Sequence, residues 1–215
     1  GRYNSRTRAI DTYLGRANME PEEMTLAEVL GDAGYATGIF GKWHLGPLPY
    51  YYPQHQGFDL NVAGEDYGAP GHFFYPFEGS WSIPTTGQTL FKRNLLDGKR
   101  GDYLPDRLAE EADAFIRAHA DEPFFLMMSH YAVHSPLQGK PEKVAYYEAI
   151  PQEQRQGHPH YAAMVESVDD SLGRILRALE DTGVANHTLI IFTSDNGGMW
   201  RATENAPLRA NKGSN

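Results

Sequence analysis

Short motifs that combine ionisable side chains with glycine or proline occur at three places in the sequence. They lie at residues 41–46, 134–136 and 195–198. Together they supply an ammonium, imidazoles, a carboxylate and an amide, which are groups that bind an anion, transfer a proton or hold a hard metal ion. They can serve one reaction only if the fold brings distant parts of the chain together.

The last of these motifs pairs Asp195 with Asn196 ahead of two glycines. Carboxylate and amide oxygens are hard ligands that suit Ca²⁺ or Mg²⁺, and glycines allow the backbone to turn sharply and approach a ligand. The same residues also fit an Asx turn that binds no metal. Two ligands cannot fill a calcium shell of roughly 6–8 oxygens, so a metal site here needs further ligands from elsewhere.

The first motif places Lys42 and His44 on either side of Trp43. Residues two apart in an extended segment point in the same direction. An ammonium and an imidazole on one face could together hold a tetrahedral anion and a reacting hydroxyl. The alternative is a surface lysine beside a structural histidine, with Trp43 packed in the core.

His134 stands directly before Ser135 and Pro136, where it could act as a general acid. His130 is a competing candidate, and either histidine could instead be structural. Lys212 lies in a glycine-containing segment near the end of the chain, and it is either an anion ligand or an ordinary solvated lysine. The residues alone leave these alternatives open.

Asp169 and Asp170 form a carboxylate pair that could be mistaken for a metal dyad. They fall in the middle of a predicted helix, where adjacent side chains point about 100° apart. We therefore interpret the pair as a polar helix edge or a structural hydrogen bond rather than as a metal site.

An amphipathic helix followed by an apolar strand occurs three times, and each strand runs into one of the polar motifs. In the first unit, residues 25–28 form a capping box that starts the helix. Gly34 is suited to end that helix. Residues 35–40 are predicted to form the strand.

The second helix is predicted to begin after Pro105, with Asp106 as its candidate cap, and to lead into a buried strand over residues 124–128. The third helix is predicted over about residues 161–182, where apolar side chains recur at helical spacing. A third strand is predicted at residues 189–192.

Helices that alternate with buried strands predict an α/β fold with a mostly parallel central sheet flanked by helices. Ligands of such sheets bind beyond the carboxyl ends of the strands, which is where all three polar motifs lie. This convergence predicts an enzyme. Residues 47–104 are rich in Pro, Gly, Tyr and Phe, and we expect a long irregular segment there that covers the rim of the site.

The chain has 215 residues, of which 40% are hydrophobic and 22% are charged, as is ordinary for a globular domain. Its net charge of −9 argues against nucleic acid as a partner, because phosphate backbones attract basic surfaces. There are no cysteines, so disulfides are excluded. No apolar run is long enough to span a membrane, and no signal peptide is visible.

Taken in order along the chain, the motifs resemble those of the sulfatase family, whose members have the alkaline-phosphatase-like fold. The resemblance covers essentially the whole chain, and the six-residue motif with Lys42 and His44 is highly specific. The segments that carry it are residues 41–46, 134–136, 193–198, 205–209 and 212–213.

The resemblance implies a role for each matching residue. Asp195 and Asn196 match the family's later pair of calcium ligands, with Ca²⁺ preferred over Mg²⁺. Lys42 and His44 match the lysine and histidine that contact the hydroxyls of the nucleophile, and Lys42 also faces the sulfate.

The remaining matches concern the substrate. His134 matches the histidine that contacts the ester oxygen and protonates the leaving group, and Lys212 matches the second sulfate-binding lysine. Lysines and a divalent cation would together offset the charge on the sulfuryl oxygens in the transition state.

The family's nucleophile is a formylglycine made from Cys or Ser, in a signature that ends in Thr-Gly-Arg. Gly1 and Arg2 are similar to the end of that signature, so we expect the nucleophile and the first pair of metal ligands upstream of residue 1. Residues 1–215 would then form part of a sulfatase catalytic domain, without the smaller C-terminal domain and inactive alone. Ala210 and Asn211 stand where the family has a more glycine-rich stretch.

The function that the resemblance implies is hydrolysis of sulfate esters of small molecules or glycans. The parent protein would need a formylglycine-generating enzyme as a partner. A phosphodiesterase or phosphonate monoester hydrolase of the same superfamily is the alternative enzyme, and an inactive binding protein is the alternative without chemistry. The resemblance to this family also implies a periplasmic, secreted or lysosomal location.

Overall fold

The computed structural model of the chain describes residues 18–47, 49–82 and 87–213. The predicted end of the nucleophile signature, at Gly1 and Arg2, lies outside these residues. In the part of the chain that is described, no helix is long and apolar enough to cross a membrane.

A helix directly precedes each of the two strands that run into polar motifs, Ala36–Gly41 and Phe124–Ser129. The strands are β1 (Ala36–Gly41), β2 (Leu60–Val62), β3 (Gly79–Ser82), β4 (Thr89–Lys92) and β5 (Phe124–Ser129). The α-helices are α1 (Leu26–Asp32), α2 (Leu104–Ala118), α3 (Pro141–Ala149) and α4 (Pro159–Asp181). Short 3-10 turns occur at Pro53–His55, Gln152–Gln154 and Ala185–His187.

A parallel sheet with the spatial order β2-β1-β5 lies at the centre of the fold. Gly41 at the end of β1 lies opposite Ser129 at the end of β5. The predicted α/β fold with a parallel sheet flanked by helices is confirmed. The predicted strands at 35–40 and 124–128 agree with β1 and β5 to within one residue at each end.

The two faces of the sheet pack against different helices, because successive strand residues point to opposite sides. On one face, Ile39 packs with Ala27 of α1 and with Phe58. On the other face, Phe40 packs against Phe115 of α2, with their ring centroids 5.5 Å apart. Phe40 is 0% exposed, and burial of such a side chain contributes about 1.5–3 kcal/mol to stability.

The first helix starts at the predicted capping box. The Glu28 N–H donates to the Thr25 hydroxyl oxygen at 3.1 Å, and the Thr25 N–H donates to the Glu28 carboxylate at 2.6 Å. These bonds satisfy backbone donors that the first turn of a helix leaves unpaired. Gly34 follows the helix with a φ of 87°, which is the left-handed conformation predicted for it.

The start of α2 differs from the prediction, because Asp106 is not its cap. The N-cap position is Tyr103, which makes no side-chain capping bond, and Pro105 occupies the first turn. Proline fits there because the first turn needs no N–H donor and its φ is already helical. The Asp106 carboxylate instead pairs with the Lys140 ammonium at 2.6 Å.

The long helix α4 confirms the third predicted helix and the interpretation of its carboxylate pair. The Asp170 carboxylate lies 2.8 Å from the ammonium of Lys143 on α3. Asp169 is exposed on the same helix. The pair is therefore a polar helix edge with an ion pair to the neighbouring helix.

The segment 47–104 contains regular structure as well as loops. It supplies β2 to the central sheet, and β3 pairs with β4 in an antiparallel hairpin. Phe73, Phe77 and Tyr103 from this segment join the core that Phe40 and α2 form. The aromatic side chains of the segment 47–104 therefore help to stabilise its packing on the core, because each large ring buries a large apolar area.

The predicted third strand at residues 189–192 is not formed. Leu189 is 85% exposed and Phe192 is 72% exposed. The edges of the sheet within the described residues are β2 and β5, and neither pairs with this run. The prediction was wrong because an apolar run indicates a tendency to be buried, whereas a strand also needs a neighbouring backbone to accept its hydrogen bonds.

Candidate active site

The carboxyl ends of β1 and β5 lie side by side, and the polar motifs that follow them begin the site. The N–H of Lys42 donates to the carbonyl oxygen of Ser129 at 2.6 Å. Gly41 has a φ of 106°, and a Cβ there would lie 2.1 Å from the same carbonyl oxygen. Only glycine allows the two strand exits to approach this closely.

The sequence predicts that Lys42 and His44 point in the same direction from one extended segment. This prediction does not apply, because β1 ends before Lys42. His44 has a φ of 59°, a left-handed conformation that a non-glycine residue keeps only when other contacts hold it. The His44 N–H donates to the carbonyl oxygen of Glu65 at 3.0 Å. Trp43 is packed in the core as predicted, and its Nε1 donates to the carbonyl oxygen of Tyr51 at 2.7 Å.

His134 lies in the turn after β5. Its N–H donates to the carbonyl oxygen of Tyr131 at 2.9 Å, and its Nδ1 lies 3.0 Å from the carbonyl oxygen of Ser135. A protonated Nδ1 makes this second bond, which leaves Nε2 as the nitrogen for a ligand.

The third polar motif is held against the end of the described chain. The Lys212 N–H donates to the carbonyl oxygen of Gly198 at 3.0 Å, and the Gly198 N–H donates to the Asn205 side-chain oxygen at 2.9 Å. A Cβ on Gly197 would lie 3.3 Å from the backbone nitrogen of Lys212. Gly197 therefore lies against the backbone of the segment that contains Lys212, whereas a Cβ on Gly198 would meet the Thr203 side chain at 2.4 Å.

Electrostatic effects show which charged groups lie close together. Burial lowers the pKa of Lys42, the charge of Asp195 raises it, and the charge of Lys212 lowers it. Burial also lowers the pKa of His134, the Ser135 carbonyl raises it, and the charges of Lys212, Lys42 and Lys92 lower it further.

Charges shift each other's pKa values only when they are close. The fold therefore brings Lys42, His134, Asp195 and Lys212 into one region from three separate parts of the chain. An imidazole among ammonium groups is an arrangement that attracts an anion and can exchange a proton with it.

Asp195 and Asn196 fit part of a calcium site. The Asn196 side-chain amide donates to the Asp195 carboxylate, so the two groups lie side by side, and both residues are exposed. Their oxygens are the hard donors that Ca²⁺ prefers. No group of three or more His, Cys, Asp or Glu side chains within the described ranges could hold a metal ion, so this pair supplies only a share of a full shell.

The competing histidine, His130, does not join the cluster. Its Nε2 lies 3.0 Å from the hydroxyl oxygen of Ser171 on α4. The residue is partly exposed, but its Nδ1 atom is buried, and burial lowers its pKa to about 4. It is therefore a neutral histidine that packs between β5 and α4 at neutral pH.

Two neighbours of the cluster could not be found from the sequence. Lys92, at the end of β4, contributes charge at His134. Gly68 lies against the His44 imidazole, since a Cβ there would be 2.5 Å from the ring. Both residues belong to the segment 47–104, whose sequence contains no catalytic motif that would single them out.

The fold and the cluster together define an α/β protein with a group of lysine and histidine side chains beyond the carboxyl ends of a parallel sheet. The family model described as Sulfatase matches residues 1–215. The chain belongs to the sulfatase family.

Curated relatives agree with this assignment. Human N-acetylgalactosamine-6-sulfatase is 32% identical over 211 residues, which is 92% of this chain and 37% of the relative. A sulfatase of Formosa agariphila is 30% identical, with 91% of this chain and 42% of the relative aligned. The chain thus spans less than half the length of these relatives.

Solved structures share the fold. The crystal structure of Ps i-CgsB superimposes with a TM-score of 0.73 at 29% identity, covering 97% of this chain and 48% of that one. The same protein in complex with k-i-k-neocarrahexaose gives a TM-score of 0.72 at 30% identity, covering 97% and 47%.

Proposed function

We propose that the protein containing this chain hydrolyses sulfate esters with the help of Ca²⁺. The observation that supports the proposal is the convergence of Lys42, His134, Lys212 and Asp195 beyond the sheet. A sulfate ester carries its negative charge on the sulfuryl oxygens, so lysines around one point favour its binding and the further charge that develops in the transition state.

In this proposal Lys42 and Lys212 contact the sulfuryl oxygens. Lys42 is half-buried, so its charge is less screened than that of a surface lysine. The neighbouring Asp195 opposes the loss of the Lys42 proton. Asp195 therefore offsets part of the lowering of the Lys42 pKa by burial, which favours the charged ammonium beside the position of the anion.

We assign His134 as the acid that protonates the leaving oxygen. Burial and the surrounding lysines hold its pKa below the usual range when no substrate is bound. A bound sulfate offsets those positive charges, so it raises the pKa of His134 and favours the protonated imidazole. The acid would thus be charged when a substrate is present to accept its proton.

Asp195 and Asn196 would hold the calcium ion, which would supply additional positive charge at the sulfate. A formylglycine outside these residues would supply the attacking hydroxyl, after modification by a formylglycine-generating enzyme. His44, fixed on Glu65 and packed on Gly68, would then contact a hydroxyl of that nucleophile.

The names of the relatives indicate the kind of substrate. N-acetylgalactosamine-6-sulfatase is named for a sulfated amino sugar, and Ps i-CgsB was crystallised with a neocarrahexaose. We propose a sulfated sugar as the substrate here. A periplasmic, secreted or lysosomal location would suit a protein that acts on such glycans.

The test uses the full-length protein that contains this chain, produced together with a formylglycine-generating enzyme. Release of sulfate from an aryl sulfate and from a sugar sulfate is compared with hydrolysis of an aryl phosphodiester. Lys42→Ala should lower kcat about 100-fold or more, while Lys99→Ala, on an exposed lysine, serves as the matched control.

His134→Ala separates general-acid catalysis from simple binding. An alkoxide leaves much less readily than a phenolate, so kcat should fall about 100-fold or more for the sugar sulfate, with a smaller fall for the aryl sulfate. An equal fall for both would remove the acid role. A preference of the unmodified sequence for the phosphodiester would replace the sulfatase proposal by the phosphodiesterase alternative.

A further inference from the structure

Lys92 is a buried lysine without an acidic partner among the described residues. The residue is 7% exposed, and its ammonium donates to the carbonyl oxygen of Ala69 at 2.9 Å. Burial lowers its pKa, and no carboxylate within the described ranges contributes to the shift. An ammonium has three donors, and buried charges are normally paired. Within the described residues, the hydrogen bond to Ala69 uses one donor of the ammonium, which leaves further donors for an anion.

The position of Lys92 links it to the active site through one short segment. Its partner Ala69 directly follows Gly68, whose α-carbon lies against the His44 imidazole. Gly79, which lies opposite Lys92 in the hairpin, packs on Gly71, since a Cβ on Gly79 would lie 2.7 Å from the Gly71 carbonyl oxygen. The hairpin of β3 and β4 is thus docked on residues 68–71 beside the site.

Arg93, the residue after Lys92, anchors the same end of the hairpin. The Arg93 guanidinium donates to the Glu65 carboxylate at 2.9 Å and to the Tyr52 hydroxyl at 3.0 Å. The carbonyl oxygen of Glu65 accepts the N–H of His44. Lys92 therefore has a fixed position relative to the cluster, and its charge acts on His134.

Trp81 adds an apolar surface next to this cation. Trp81 pairs with Leu90 and Gly79 pairs with Lys92, so Trp81 and Lys92 are diagonal neighbours on one face of the hairpin. The Lys92 ammonium lies 5.4 Å from the centroid of the Trp81 ring. Trp81 is nevertheless 46% exposed, which leaves part of the indole free to contact a ligand.

We propose that Lys92 and Trp81 form a subsite for a second anionic group of the substrate, on the sugar next to the one that carries the scissile sulfate. The ammonium would bind a sulfate or carboxylate, and the indole would contact the apolar C–H groups of that sugar. This inference rests on the proposed function, and it makes the substrate class a polyanionic glycan rather than a simple aryl sulfate.

The experiment compares disaccharides that share one scissile sulfate in the full-length protein. One disaccharide has a neutral neighbouring sugar, a second has a sulfate on that sugar, and a third has a carboxylate. The unmodified sequence should prefer the doubly charged substrates in kcat/KM. Lys92→Met should reduce that preference about 10-fold to 100-fold, as expected for loss of a hydrogen bond to a charged group.

Matched variants separate the subsite from other effects. Lys92→Arg should keep most of the preference, and Lys99→Met removes an exposed lysine charge and should leave the preference unchanged. Trp81→Ala should raise KM for the disaccharides more than for an aryl sulfate. The melting temperature of Lys92→Met shows whether this variant folds. If it does not fold, Lys92→Arg and Trp81→Ala are the variants that test the subsite.

Calorimetric binding of the desulfated disaccharide products tests the subsite without turnover. Charge-selective binding that Lys92→Met abolishes, with no sulfate release from any ester, would support the subsite and reject the proposed hydrolase. Sulfate release without any preference for a second charge would support the proposed hydrolase and reject the subsite. An equal loss on all substrates in Lys92→Met would also overturn the subsite, because it would show that Lys92 acts only through the fold or through His134.

Discussion

The backbone N–H of Lys42 donates to the carbonyl oxygen of Ser129 at 2.6 Å. This hydrogen bond continues the ladder between β1 and β5 by one step beyond the last residue of β1. Since the segment with His134 begins directly after Ser129, the bond places the Lys42 and His134 segments side by side. The relative position of these two segments in the candidate site therefore follows from the register of the sheet.

Gly68→Ala tests the position of His44. The new Cβ would lie 2.5 Å from the His44 ring, and Gly68 does not have a positive φ, so the backbone tolerates alanine. We expect the imidazole to move and kcat/KM for a sulfate ester to fall about 10-fold to 100-fold, with a small change in melting temperature.

Gly173→Ala is the matched control for this substitution. Gly173 lies within α4, and its Cβ would meet no atom closer than 3.5 Å. It should raise the free energy of unfolding by about 1 kcal/mol and leave activity unchanged. Full activity of Gly68→Ala would show that the position of the His44 ring is not needed.

Asp195→Ala tests the calcium assignment by stability as well as by activity. In the full-length protein, Ca²⁺ added after chelation should raise the melting temperature, because a ligand that binds only the folded state stabilises it. Asp195→Ala should remove most of this rise. Glu204→Gln removes an exposed carboxylate from the same loop and should keep the rise, so an equal loss in both variants would contradict the assignment.

The lowered pKa of His130 predicts a loss of stability at mildly acidic pH. Its pKa is lowered from 6.5 to about 4 by burial, so the unfolded chain binds more protons than the folded chain between these values. The contribution of neutral His130 is complete above pH 6.5, and it decreases as the pH falls towards 4. The shift corresponds to about 3 kcal/mol at most.

The measurement is the free energy of unfolding at pH 7 and pH 5. Its decrease should be smaller in His130→Gln than in the unmodified sequence, because glutamine has no proton to bind in this range. An identical decrease would mean that other groups cause the acid sensitivity.

Thr37→Val tests how the start of β1 is joined to the segment that leads into β2. Thr37 is 0% exposed, its hydroxyl oxygen accepts the Asp59 N–H at 2.9 Å, and the same oxygen lies 2.7 Å from the Gly57 carbonyl oxygen. Valine keeps the shape but removes these partly buried hydrogen bonds to Asp59 and Gly57.

The expected cost in the free energy of unfolding is about 1–3 kcal/mol, measured by denaturant unfolding of the full-length protein. Thr89→Val, at an exposed position of β4, should change it by less than about 0.5 kcal/mol. Equal effects at the two positions would show that the buried hydroxyl is not important.

The sequence predicted the elements whose signals are local. The capping box at Thr25 and Glu28, the apolar spacing of α4 and the strands β1 and β5 each depend on residues close together in the chain. It also identified the motif residues Lys42, His134, Asp195 and Lys212, because their types and order resemble one family. The variants described above test whether Lys42, His134 and Asp195 have their predicted roles.

The tertiary structure decided what depends on distant partners. The run at 189–192 is apolar but forms no strand, since pairing requires a second backbone beside it. His44 takes a left-handed backbone conformation that no local pattern indicated, because the Glu65 carbonyl oxygen holds it. Lys92 lies beside the cluster because the hairpin docks on residues 68–71. A sequence pattern reports each residue's own preference, whereas convergence depends on contacts between segments far apart in the chain.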